Sequence, residues 1–442
     1  MKTKLWPVIR KNRLLIFIFF LGLLLRLVLC IQIYSGDVNN HVAWGKDALR
    51  FGFAGIYQRS FEKYGVMTPT YPPMPLFFFT FFYWLYQSLY QLAWKLNLSF
   101  ALFPSNLIFF LEDQDTLPAF LKIPAILADL GIAYLIFLSV KKILKEKAAN
   151  WPLLSACLVL FNPAFFYNSA YWGQIEAVPL VFILASFYSL FLLKRNILSA
   201  LFLALAVLSK QTSIVFLPVF ALGYLSRFNF KKSIAGAAFF GIVFSALFLP
   251  FFAKGNIFTF PFETYLVKIQ SGSGSNYVTD HAFNFWALAT GLGKIPDWKP
   301  FWLGLSYSQW GWTLFGATLL SILYILWKRK KDFNAYLYAA FLIPLSAFLF
   351  LTRMHERYLE QALPFLLLLS IKKRSYLGIF LLISFFHLIN LYHNWWAPGS
   401  RVLKNILSQT PVINSLIVVE IGLFVYLCLQ YYKEKKTKNE PA

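Results

Sequence analysis

The residues best suited to chemistry lie in a few short runs. Asp37, in Ser35-Gly36-Asp37-Val38-Asn39-Asn40-His41, follows the first apolar segment and would hold a carboxylate at the mouth of a helix bundle. Taken alone, it also fits a helix cap or a solvated loop residue. Tyr171-Trp172-Gly173-Gln174-Ile175-Glu176 joins two apolar segments, with Asn162-Pro163 upstream. Its plainer reading is an interfacial aromatic and a solvated acid. Ser209-Lys210-Gln211-Thr212 sets an ammonium between two apolar segments, where it needs an anion or a water-filled cavity. Arg353-Met354-His355-Glu356-Arg357-Tyr358 is the densest run. In a helix Arg353 and Arg357 would share a face and repel unless an anion such as phosphate joins them. A juxtamembrane anchor on lipid headgroups is the alternative. Thr70-Tyr71-Pro72-Pro73-Met74-Pro75 is a stiff turn able to position its neighbours, and Asp280-His281-Ala282-Phe283-Asn284-Phe285-Trp286 adds a further polar cluster.

The elements that must position these runs are membrane helices. The chain has 442 residues, 59% hydrophobic and 20% aromatic against 13% charged, with a mean hydropathy of +0.60, outside the range of a soluble domain. Cys30, Cys157 and Cys428 each lie in an apolar segment without C-x-x-C spacing, so neither a disulfide framework nor a zinc site is indicated. A run of roughly 20 apolar residues crosses a bilayer. On that basis the sequence divides into twelve spans near 14–34, 122–140, 152–168, 175–193, 196–209, 211–226, 232–252, 310–327, 333–351, 358–371, 375–391 and 412–431. The first is expected to be a retained helix, being longer than a signal h-region and without a clear cleavage site.

The net charge of +23 does not indicate nucleic acid, because the cations cluster between apolar segments. Clusters at the N-terminus, Lys141 to Lys145, Lys194-Arg195, Arg227 with Lys231-Lys232, Lys328 to Lys331, Lys372 to Arg374 and Lys433 to Lys438 fall at every second boundary. This is the positive-inside pattern, with both termini cytoplasmic. Only Glu146, Asp332, Glu434 and Glu440 lie among those clusters, so most carboxylates are expected on the opposite side. Two long outward loops are expected, 35–122 and 253–309, the second with a flexible Ser271-Gly272-Ser273-Gly274-Ser275 stretch. Residues 39–52 suit an interfacial helix, and 75–94, although long enough to span, reads as a helix on or dipping into the outer leaflet, since a full span would invert every later cluster. The expected fold is an all-α polytopic bundle of about twelve transmembrane helices, with a catalytic module at 1–371 and C-terminal helices and basic tail at 372–442.

In this order, Asp37, Tyr71-Pro72-Pro73, Ala128-Asp129-Leu130, Asn162-Pro163, Gly173-Gln174, Lys210-Gln211, His281 to Trp286 and His355-Glu356-Arg357 resemble the GT-C superfamily of membrane glycosyltransferases. The similarity is to bacterial relatives of GPI mannosyltransferases and to lipid-phosphate-glucose-dependent glucosyltransferases, and covers roughly 35–365. It implies Asp37 as catalytic base, with Glu176 as a second carboxylate where relatives often carry Asp. Lys210, Gln211, Arg353, His355 and Arg357 would hold the donor phosphate. His41, Tyr71, Trp172, Gln174, His281 and Asn284 would position substrate. The expected partners are a polyprenyl-phosphate-linked sugar, a glycan, lipid or protein acceptor, and membrane lipids. No nucleotide site is required, and a divalent metal through Asp37, Glu176 or Asp280 is left open. The expected location is the bacterial plasma membrane with an extracytoplasmic site. A transporter or flippase of lipids or lipid-linked sugars is the competing class, since polar junctions at membrane depth also serve transport.

Overall fold

The computed structural model describes residues 13–145, 150–270 and 276–434. The N-terminal cations before Arg13, Glu146, the 271–275 stretch and the tail cations beyond Lys433 lie outside the described residues. The protein is an α-helical polytopic membrane chain: among the described residues, eight helices are long and apolar enough to cross a membrane. They are Arg13–Cys30, Thr116–Leu144, Trp151–Trp172, Phe230–Phe251, Tyr307–Lys328, Phe333–Phe350, Ser375–Trp395 and Thr410–Lys433.

The remaining four expected segments are helical but short or composite. They are Ala177–Phe187 with the π-turn Tyr188–Leu192, Asn196–Val207, Gln211–Phe216 leading into Leu217–Arg227, and Glu356–Ala362 leading into Leu363–Ser370. In the last two, a 3₁₀ turn precedes an α-helix with proline in its first turn, Pro218 or Pro364, where the missing N–H costs no helical hydrogen bond. Polar residues therefore enter these segments on tight turns rather than inside regular helix.

The two long segments expected to face outward are largely helical. Asp37–Phe51 packs along Pro73–Ser99, a helix opened by Pro72-Pro73 and diluted by Gln87, Gln91, Lys95 and Asn97, and Asn106–Glu112 follows. Pro73–Ser99 is not among the eight candidate spans. The second long segment holds the π-turn Thr264–Gln270, the short helix Phe285–Thr290 and a two-stranded hairpin, Pro300–Trp302 with Leu305–Ser306. Phe333–Phe350, apolar on all sides, is buried on nearly every face at the centre of the bundle.

Buried charges tie the first helix to its neighbours. Arg26 is fully buried; its Nε donates to Asp129 Oδ2 at 2.8 Å and its Nη1 to the Leu160 carbonyl at 2.8 Å. Ser169 donates to the same Asp129 oxygen at 2.5 Å. Lys122 donates to the carbonyls of Cys30, Ile33 and Tyr171 at 2.9, 2.5 and 3.0 Å, fastening the end of the first helix to the turn that carries Trp172. That turn closes on Gly173 at φ +94°, where a Cβ would stand 2.6 Å from Val38 Cγ2, so only glycine lets these two segments approach.

Arg26→Met should destabilise the protein by about 3–5 kcal/mol, because Asp129 is left as an unpaired buried charge. Adding Asp129→Leu should recover most of that loss. Thermal unfolding in detergent checks both, and a double variant no more stable than the single would show that the two charges are not coupled.

Candidate functional site

The site forms where the tight turns converge. Asp37 opens its helix just beyond the Lys122 staple, and its side chain is 45% exposed, the most open carboxylate of the cluster. Gln174, fully buried beside Gly173, donates its Nε2 to Asp37 Oδ2 at 2.6 Å. Arg357 Nη2 lies 4.0 Å from the same oxygen. Burial acts to raise the Asp37 carboxyl, but Arg357 and the Gln174 hydrogen bond outweigh it and hold the group below the ordinary carboxylate range.

The two central cations are already paired. Lys210 contacts Glu176 Oε1, and Arg357 Nε donates to that oxygen at 3.1 Å while its Nη1 donates to Glu356 Oε1 at 2.9 Å. Glu176 is fully buried, so it neutralises these cations rather than facing an open cavity. Lys210 Nζ also lies 5.4 Å from the Tyr71 ring centre and 5.1 Å from that of Tyr358, within cation–π range of both. Arg357 Nη2 is the guanidinium nitrogen turned towards Asp37.

The expectation that Arg353 and Arg357 share a helical face is overturned. The 3₁₀ turn begins only at Glu356, and Arg353 adopts a left-handed φ of +62° outside it. Its guanidinium instead grips the buried Asp297, with Nε to Oδ2 at 2.7 Å and Nη2 to Oδ1 at 3.1 Å, and Thr352 Oγ1 adds 2.9 Å to the same carboxylate. Asp297 was not among the residues singled out from sequence. An acid 56 residues from its arginine in an irregular loop leaves no local pattern to read.

The remaining expected residues divide. His41, one turn from Asp37, is buried and stacked on Phe79 with centroids 4.1 Å apart. Burial lowers its pKa to about 3, so it is neutral at physiological pH. Tyr71 packs against His41 at 5.8 Å. Burial likewise drives His355 well below the usual histidine value; its Nε2 lies 3.6 Å from Asp280 Oδ2, and the Asp280-His281 backbone bridges to His355. His281 therefore reaches the rim of the cluster. Gln211 lines the adjoining cavity, and its Oε1 is buried without a hydrogen-bond partner.

Trp172 and Asn284 are drawn into structural contacts instead. Trp172 is buried and stacked on Trp395 at 5.8 Å. Asn284 caps the helix Phe285–Thr290 and donates to the Phe348 carbonyl at 3.2 Å. Asp37, Glu176 and Asp280 do not come together as a metal site: among the described residues no group of three or more His, Cys, Asp or Glu has that arrangement.

A cavity of about 440 Å³ adjoins the cluster. Its lining mixes polar Gln211, Thr352, Arg353 and Tyr358 with apolar Phe315, Leu319, Pro344 and Phe348. Tyr358 is shared by the cavity and the Lys210 site. Such a mixed lining suits a molecule with both polar and apolar parts.

The unfolded chain protonates His41 below pH 6.5, whereas the folded chain does so only near pH 3. Stability carried by this group is therefore complete above pH 6.5 and falls as pH drops towards 3. In the window from 6.5 down to about 4, above the ordinary aspartate value, His41→Phe should flatten the dependence of Tm on pH. An unchanged slope would show that His41 is not the group responsible.

Comparison with protein-family models and with curated proteins finds no match for this chain.

Proposed function

We propose that the protein is a GT-C-type glycosyltransferase that takes a hexose from a polyprenyl-phosphate sugar and passes it to an extracytoplasmic glycan, lipid or protein. The observation that carries this reading is the setting of Asp37. It is a half-open carboxylate, oriented by buried Gln174 and 4.0 Å from Arg357, in a cluster that meets a cavity of mixed polar and apolar lining at Tyr358. A carboxylate held ionised with one face open is equipped to take a proton from an acceptor hydroxyl.

The acceptor oxygen gives its proton to Asp37 and bonds to the anomeric carbon. The bond from that carbon to the phosphate oxygen breaks, releasing the polyprenyl phosphate and inverting the configuration. Arg357 Nη2 and Lys210 would stabilise the negative charge on the departing phosphate, in a site where fixed donors act more strongly than in water. Glu176 and Glu356 keep these cations in place until the phosphate shares them. The apolar residues of the cavity offer a surface for the lipid chain, and Gln211 lines the same cavity. In this reading the twelve expected segments are spans, both termini are cytoplasmic, and the site opens outside a bacterial plasma membrane.

A second reading, transport of a solute or of a lipid-linked sugar, draws on the buried polar groups beneath the site. Asn168 donates to Glu360, and His387 lies 3.9 Å from the same carboxylate. Ionisable groups at such depth commonly mark transport or proton pathways.

Reconstituted protein should release polyprenyl phosphate from at least one polyprenyl-phosphate hexose when native lipid extract supplies the acceptor. Asp37→Asn should lower turnover by about 10²- to 10⁴-fold with folding intact, as loss of a general base does. Undiminished turnover in that variant removes Asp37 from the role. Movement of a labelled solute with no covalent change to it would support the transporter instead.

A further inference from the structure

The hairpin at 300–306 is built to expose apolar side chains. Its strands pair Pro300 with Ser306 and Trp302 with Leu305, and the turn between them takes left-handed φ values at Leu303 (+51°) and Gly304 (+74°), the conformation of a tight two-residue hairpin turn. Leu303, a branched side chain held at this strained position, is 72% exposed at the tip, and Trp302 beside it is 59% exposed. Trp298 and Phe301 are also exposed. A soluble loop would place polar residues here. Between 298 and 305 the only polar side chain is Lys299.

The base of this hairpin is rigid. Trp302 stacks on Trp310 at 5.2 Å, and Trp310 Nε1 donates to the Trp302 carbonyl at 2.9 Å. Phe301 packs edge-on against the fully buried Trp286 at 5.7 Å. Asp297, fully buried, accepts from Arg353 and Thr352, while its carbonyl accepts from Ser308 N at 2.9 Å. A capping box between Ser306 and Gln309 then starts the candidate span Tyr307–Lys328 directly from the second strand. The aromatic tip is thus fixed at the entrance of a membrane helix, whose first turns also expose Trp312.

We propose that this hairpin is a membrane-surface anchor, which inserts Trp302 and Leu303 among the lipid headgroups and upper acyl chains of the leaflet on the candidate site's side. Indole and leucine at the level of a span's end match the chemistry of that interface. A carbohydrate ligand would need hydrogen-bonding groups around the rings, and the Trp310 indole N–H is already engaged within the hairpin. Because Asp297 at the hairpin base holds Arg353, and Ser308, Thr352 and Arg353 line the cavity, the anchor sets the rim of that cavity at the membrane surface.

The test is Leu303→Cys carrying an environment-sensitive fluorophore, in full-length protein in lipid nanodiscs. The unmutated chain, labelled in parallel, measures background from Cys30, Cys157 and Cys428. Leu320→Cys, on a residue 69% exposed along the following helix, serves as the reference for lipid contact. The expected result is blue-shifted emission at both positions, quenching by lipid with a spin label near the headgroup, and protection from aqueous iodide. Quenching of the Leu303 label by iodide but not by spin-labelled lipid, with the Leu320 label in lipid, would overturn the anchor while leaving the membrane fold standing. A shift at Leu303 only on adding oligosaccharide, or only when two protein copies share a nanodisc, would also overturn it in favour of a glycan or a second copy. Unchanged thermal unfolding of each variant confirms that folding is preserved.

Discussion

Charge buried in an apolar bundle must find opposite charge or backbone carbonyls, and this requirement organises the molecule. An unpaired ion in such a medium costs several kcal/mol even after relaxation. Arg26 therefore binds Asp129 and the Leu160 carbonyl, and Lys122 gathers three carbonyls from two different segments. These contacts join the first helix, the helix Thr116–Leu144 and the turn at Trp172 into one unit. Asp37 and Gln174 meet because both lie within a few residues of the Lys122 staple, across the close approach that Gly173 allows.

The same requirement shapes the candidate site. Arg357 meets three carboxylates, of which Glu176, shared with Lys210, and Glu356 are fully buried and Asp37 is not. The inner two satisfy the cations; the outer one keeps an exposed face. An incoming anion must compete with Glu176 and Glu356 for these donors, and Arg357 Nη2 is placed to meet it first. The aromatic rings of Tyr71 and Tyr358 flank Lys210 and exclude water from it, which strengthens every interaction it makes. Arg353 belongs to a different system. Its charge is spent on Asp297, where it locks the 300–306 hairpin to the loop that leads into His355 and Arg357.

The sequence by itself determined the class of molecule and the ground plan of its helices. Apolar run length and cation placement are local quantities, so helices occupy every segment expected to span, although only eight meet the length and composition of a crossing helix among the described residues. The polar runs at the segment ends did converge: Asp37, Gln174, Glu176, Lys210 and Arg357 lie in one cluster. What only the tertiary structure decided was which charge answers which. Spacing placed Arg353 beside Arg357, but a left-handed backbone residue turned it to an acid in the other long loop. Trp172 and Asn284 carried the same signals as the site residues and went to a tryptophan stack and a helix cap. Pairing in a low-dielectric interior depends on distance in space, and sequence records only distance along the chain.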